Sequence, residues 1–118
     1  MKDQRLYLIH IKECIEKIEQ YTKEGESLFS NDPKTQDAVI RNFEIIGEAV
    51  KHLTEDTRQN VPQIPWRQFA GFRDVLIHQY DAINISEVWL TVINEIPVLK
   101  EAVRTLLEYD AYSIFHMT

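Results

Sequence analysis

TQDAVIRNFEIIGEAVKHL, residues 35–53, decides the fold. Val39, Phe43, Ile46, Val50 and Leu53 recur at steps of three and four, which lines one side of an α-helix with apolar groups. A strand would need alternation every second residue, and the segment has none. The same period continues upstream, where Leu8, Ile11, Ile15 and Ile18 predict a first helix that Gly25 is expected to end. ESLFSNDPK, residues 26–34, reads as a connection with room for one helical turn, and the second helix is expected from about Thr35.

Downstream, QNVPQIP, residues 59–65, interrupts the pattern, and Pro65 suits the first position of a third helix that buries Phe69, Phe72 and Leu76. Ser86 and Glu87 resemble an N-cap and first turn for a fourth helix. Its stripe is Val88, Val92, Ile96, Leu99, Val103 and Leu106, with Pro97 expected to kink it. With three glycines, four prolines and no repeats in 118 residues, the reading is a single all-α domain over 1–118. Four main helices, with a short fifth possible, form an up-down bundle.

Composition narrows the function. Apolar residues make up 44% and charged residues 27%, the mix of an ordinary folded domain. One cysteine, Cys14, allows no internal disulfide, and a reducing compartment fits. The charged, periodic start MKDQRLYLIHIKECIEK does not read as a signal peptide, and no apolar run approaches the ~20 residues of a membrane helix. The expectation is a cytoplasmic protein with no membrane partner. The net charge of −6 argues against a broadly basic nucleic-acid face. A polyanion would have to be met in the middle third, where Arg41, Lys51, Arg58, Arg67 and Arg73 lie.

RDVLIHQY, residues 73–80, places an arginine, a histidine and a tyrosine on an otherwise apolar helix. At about 100° per residue, Phe69, Val75 and Leu76 fall within roughly 60° of Phe72 and define the expected buried face. Arg73 and Tyr80 share one flank, whereas His78 lies roughly 140° from Arg73. For the two to converge, either the helix distorts near His78 or a second subunit completes the site about a two-fold axis. An arginine supplies a permanent forked charge for phosphate, and a histidine moves protons near neutral pH. Together they suffice in kind for metal-independent RNA cleavage, although on spacing alone such a pair is more often a solvated helix edge.

NVPQIPWRQFAGFRDVLIHQY, residues 60–80, closely resembles the signature segment of HepT-like proteins, a branch of the HEPN superfamily. Their R-x4-H-x-Y pattern is matched by Arg73, His78 and Tyr80, and Asp74 fills the polar position after the arginine. The block 35–53, with Arg41, Glu44, Gly47, Glu48 and Ala49, is similar to the family's second helix; IPW at 64–66 and Val88-Trp89 fit as well. The resemblance covers roughly residues 5–107. It implies a homodimeric, HEPN-like helical bundle joined through the motif helix. It also implies the toxin of a toxin–antitoxin module, a metal-independent ribonuclease with Arg73 and His78 catalytic and RNA as substrate. The implied partner is a minimal nucleotidyltransferase antitoxin (MntA-like), which silences the toxin by transferring AMP to Tyr80. A phosphoester beside Arg73 would occupy the anion site and repel RNA. The alternative is a non-catalytic dimeric module that binds nucleotide or the nucleotidyltransferase.

Other residues support blander readings. Asp74 can orient His78, pair with an arginine or simply stay solvated. Arg41, Glu44 and Glu48, at i, i+3 and i+7, form a surface ion-pair row or help to position Arg73. Gly47 inside a helix costs ~1 kcal/mol relative to alanine, so close helix packing is expected there. Trp66 is expected to anchor the core rather than stack a base. His10 and Cys14 lie i, i+4 without a third ligand, and His52 and His116 stand alone. No metal and no cofactor is expected.

Overall fold

The computed structural model describes residues 3–115, with side chains through residue 108. Seven α-helices and one 3-10 turn make up the regular structure, and no strand occurs among the described residues. They are α1 (Gln4–Tyr21), α2 (Glu26–Asn31), α3 (Pro33–Lys51), α4 (Glu55–Gln59), α5 (Trp66–His78), α6 (Ile85–Asn94) and α7 (Ile96–Phe115), with the 3-10 turn at Tyr80–Ala82. The all-α, HEPN-like helical fold expected from the sequence is the fold observed. Helix α3 is its centre, packing against α5 on one side and α1 on the other, while α7 lies on α1 and α6. The predicted stripes form the core: Leu8, Ile11, Ile15 and Ile18 meet Val39, Phe43, Ile46 and Val50, and Leu99 and Val103 close the far side.

Three boundaries differ from expectation, each for a local reason. Helix α1 stops at Tyr21, before Gly25, because the Thr22 hydroxyl donates to the Ile18 carbonyl at 2.7 Å. Gly25, with φ +95°, instead opens α2, a region of backbone space that only glycine enters freely. This single extra turn of chain exists to bury Phe29, which is fully enclosed. Helix α3 begins two residues early, at Pro33, with Asp32 as its cap and proline where an N–H would be unused. Pro65 precedes α5 as its N-cap, so Trp66 is the first helical residue.

The expected fourth helix is two helices. Pro97 has no N–H to continue the ladder, and the chain re-forms as α7 after Glu95. The cap of α6 is Asn84 rather than Ser86; its side-chain oxygen accepts from the Glu87 N–H at 3.3 Å. Asn84→Ala is therefore expected to cost about 1 kcal/mol and lower the thermal midpoint by a few degrees. Ser86→Ala should leave the midpoint nearly unchanged, and a melting curve by circular dichroism separates the two.

The buried face of α5 is also rotated from its expected direction. Phe69 and Leu76 are buried, and Phe72 packs edge-on against Phe43 with ring centroids 5.3 Å apart. Val75, expected inside, is 45% exposed. The face turns away from Val75 and toward Arg73 because α3 presents Gly47 there, and a helix moves toward the gap a missing side chain leaves.

Candidate functional site

Arg73 owes its position to Gly47. A Cβ on Gly47 would overlap the Arg73 Cβ and lie 2.9 Å from the Phe69 carbonyl oxygen, so α5 touches the α3 backbone at this point. The Arg73 side chain then emerges along α3, 24% exposed. Its Nε stands 3.2 Å from Glu48 Oε2, an ion pair by distance, but its hydrogen is not aimed at that oxygen and the buried Nε lacks a hydrogen-bond partner. Its Nη1 donates to Asp74 Oδ1 at 3.1 Å, and Lys51 Nζ donates to the same oxygen at 2.7 Å. Asp74 thus pairs with Arg73 and Lys51, one of the roles open to it from sequence.

The hydrogen bond from Lys51 and then that from Arg73 hold the Asp74 carboxyl below its ordinary range. Lowering the folded-state value means the cluster stabilises the fold above the unfolded carboxyl's ~3.9 and loses that contribution as pH falls through the lower folded value. An NMR titration of the side-chain carboxyl should place the Asp74 midpoint under ~3.9, and Lys51→Gln should raise it. An unshifted midpoint in the wild type would mean that the ion pair does not persist in solution.

Beside Arg73 is an open hollow of about 300 Å³ between α1, α3 and α5, with Arg41, Glu44 and Glu48 along one wall. The row Arg41–Glu44–Glu48 therefore faces the motif helix, with Glu48 at ion-pair distance from Arg73. Arg41 pairs with Glu44 at 3.4 Å. Across the hollow, Tyr7 and His52 stack with centroids 5.0 Å apart and planes 8° from parallel, and His52 Nε2 lies 3.3 Å from Glu48 Oε1. His52 thus belongs to the Glu48–Arg73 network, which the sequence did not reveal. Tyr7 and His52 are 45 positions apart and no spacing rule joins them. Lys51 was findable, being one turn beyond Glu48 on the same helix.

Helix α5 runs unbroken through His78, and the Gln79 N–H still reaches the Val75 carbonyl at 2.9 Å. Distortion of the helix is thereby ruled out as a means of joining Arg73 and His78. Within one chain the two project roughly 140° apart, and exposed His78 does not line the hollow beside Arg73. Tyr80 lies past the helix end, in the 3-10 turn, and is 77% exposed. It borders a second hollow, about 380 Å³, with Asp37 and Ile40; Arg41 and Glu44 line this hollow and the one holding Arg73. So Arg73 and Tyr80 occupy neighbouring recesses on the α3 side, and His78 stands apart.

Trp66 is buried, and its indole N–H donates to the Arg58 and Val61 carbonyls, fastening the α4–α5 connection. His10 is exposed while Cys14 is buried, and burial raises the Cys14 thiol pKa. No group of three or more metal-ligating side chains occurs among the described residues, and His116 lies outside them. No helix among the described residues is long and apolar enough to cross a membrane. Chemically, the site offers a partly engaged guanidinium, an exposed imidazole and an accessible phenol.

A family model described as ribonuclease HepT-like matches residues 11–106. A Methanocaldococcus jannaschii protein named “Gamma-glutamylcyclotransferase and putative RNase” is 45% identical over 108 residues, which cover 91% of this chain and 49% of that one. The chain thus spans about half the length of that relative. A “Putative RNase” of Caldanaerobacter subterraneus subsp. tengcongensis is 41% identical, covering 93% of this chain and 99% of its own. A “Probable ribonuclease HepT” of Thermococcus cleftensis is 48% identical over 95 residues, 80% of this chain and 86% of that one. No solved structure matches the chain.

Proposed function

Because the chain belongs to the HepT-like ribonuclease family, we propose that it is a metal-independent endoribonuclease, the toxin of a toxin–antitoxin pair, whose active site forms between two copies. The observation that carries the dimeric reading is the unbroken α5. Arg73 and His78 sit on different faces of a regular helix, so one chain does not assemble both around a phosphate. The arc between them holds Ala70, Asp74 and Ile77, all half-buried, and, a turn or two toward the helix start, buried Trp66 and exposed Arg67. Two α5 helices crossing in opposite senses about an axis level with residues 75–76 bring Arg73 of each beside the other's histidine, since 75.5 is the mean of 73 and 78.

The chemistry follows from the two groups. His78 takes the proton from a ribose 2′-hydroxyl, the 2′-oxygen attacks the adjacent phosphorus, and the bond to the 5′-oxygen breaks. Arg73 offsets the charge that builds on the phosphorane, and the imidazolium returns its proton to the departing 5′-oxygen. The products are a 2′,3′-cyclic phosphate and a 5′-hydroxyl. Glu48 and Asp74 orient the arginine. Tyr80, accessible and next to the Arg41–Glu44 recess, receives AMP from ATP through a nucleotidyltransferase antitoxin, with pyrophosphate leaving. The added phosphate would compete for the arginines that RNA needs.

The test is RNA cleavage in excess EDTA by protein whose intact mass shows Tyr80 unmodified. Wild type is expected to cut and to leave cyclic phosphate ends, and Arg73→Ala and His78→Ala are expected to lose the activity. A folded, unmodified dimer that cuts none of a varied set of RNAs would sink the proposal. That outcome would favour a second reading, a binding module, for which the specific observation is that Glu48 and Asp74 already flank Arg73.

A further inference from the structure

The α4–α5 connection borders a third, open hollow of about 330 Å³, outside the Arg73 site. Arg58 and Arg67 both line it, with Gln59, Gln68, Trp66 and one carboxylate, Glu55. Most basic groups near the motif are matched by a carboxylate at 2.7–3.4 Å, as in the pairs of Lys51, Arg41 and Arg73. Here the match is weak: among the described residues Arg58 has only Glu55, at 3.9 Å, and its buried Nε is without a hydrogen-bond partner. Exposed Arg67 makes no ion pair or side-chain hydrogen bond among the described residues. In a chain of net charge −6, two under-neutralised guanidiniums on one recess are a departure that asks for an anion. The recess is held in shape by the Trp66 indole, which donates to the Arg58 carbonyl in its wall and to the Val61 carbonyl behind it.

The geometry of α5 indicates which anion. Arg67 and His78 are eleven residues apart, three turns plus about 20°, so they share one flank of the helix roughly 16 Å apart along its axis. Between them on that side, Gly71 presents no side chain and has open space at its Cα, and the Asp74 carboxylate, about 20° to the other side of Arg67, is engaged by Lys51 and Arg73. A polymer with regularly spaced phosphates can lie along this flank with one phosphate at His78 and another, a few nucleotides away, in the recess. A mononucleotide cannot reach both.

We infer that Arg58 and Arg67 form a subsite for a backbone phosphate of single-stranded RNA, a few nucleotides from the bond cut at His78. The inference rests on the ribonuclease reading and deepens it by giving the substrate a track. It explains how an acidic protein holds RNA without a broad basic face: the contact is local and salt-sensitive. Arg58 and Arg67 are binding residues here, with no part in proton transfer.

The experiment measures fluorescence anisotropy of a labelled single-stranded RNA titrated with the full chain as His78→Ala, to suppress cutting, across a salt series. Arg67→Gln, an exposed change, and Arg58→Gln are each added to that background, with Lys23→Gln as a surface-charge control. Each arginine variant is expected to weaken binding about tenfold and to flatten the slope of log K against log salt by about 0.7, one phosphate contact on a single strand. In the catalytic background Arg67→Gln should raise KM while kcat stays near wild type. Circular dichroism checks folding, and Arg67→Gln stands alone if Arg58→Gln unfolds. Unchanged affinity and slope in Arg67→Gln, with RNA still bound and cut by wild type, would overturn the subsite and leave the ribonuclease reading intact. Failure of wild type to bind or cut any RNA would overturn both, so the two failures are distinct.

Discussion

A mixture of Arg73→Ala and His78→Ala protomers, each inactive alone, is expected to recover about a quarter of wild-type RNA cleavage. Either variant by itself should fall by about a hundred- to ten-thousandfold, the range for losing a positioned proton-transfer group or a charge that stabilises the transition state. Recovery follows from the two-fold arrangement. Random pairing makes half the dimers mixed, and each mixed dimer carries one site with both Arg73 and His78 intact and one with neither. Rates measured after mixing and re-equilibration check this directly. A site built within one chain would show no recovery at any ratio, and the regular α5 would then need another explanation for its divided motif.

Gly47→Val is expected to destabilise the fold by about 3 kcal/mol, the upper end of typical overpacking costs. The new side chain must displace the Arg73 Cβ and the Phe69 carbonyl, and neither is the free end of a flexible chain. At about 4 °C per kcal/mol for a domain of this size, the thermal midpoint should drop by roughly 12 °C. Gly71→Ala, on the facing helix, meets nothing within 4 Å and should gain about 0.5–1 kcal/mol by reducing the freedom of the unfolded chain. Opposite signs for two helical glycines follow from contact alone, because propensity would favour replacing both. Gly47→Val should also lose RNA cleavage at temperatures where it remains folded, since separating α3 from α5 moves Arg73 away from Glu48. A Gly47→Val protein as stable and active as wild type would show that the helices do not meet as closely as the structure has them.

The motif residues were legible from the sequence as a group, but their grouping in space was only partly so. Arg73 and His78 were predicted to diverge, and the regular helix keeps them apart. Tyr80 was placed by extending the same helix, but the chain leaves it at Gln79, so its nearness to the Arg41–Glu44 recess is a property of the 3-10 turn. Glu48 was one of several candidates until the structure showed it bridging His52 and Arg73. Tyr7 was absent from the reading, and Lys51 entered it only as one of five basic residues of the middle third, because ion pairs and ring stacking between distant segments leave no period in a sequence.

By itself the sequence determined the class of fold and most of the apolar stripes that form the core. Those are consequences of one-sided burial, which repeats every three to four residues and can be read without knowing the neighbour. Helix ends were less determined, because Asn84 and Ser86 are both able caps and the choice between them depends on where the chain arrives. Only the tertiary structure decided the rotation of α5. A periodic pattern says that a helix has an inner side, but the direction of that side is set by the surface it meets. Gly47 is where that surface falls away. The gap draws Arg73 into contact with α3, turns Val75 outward and leaves His78 free on the opposite face.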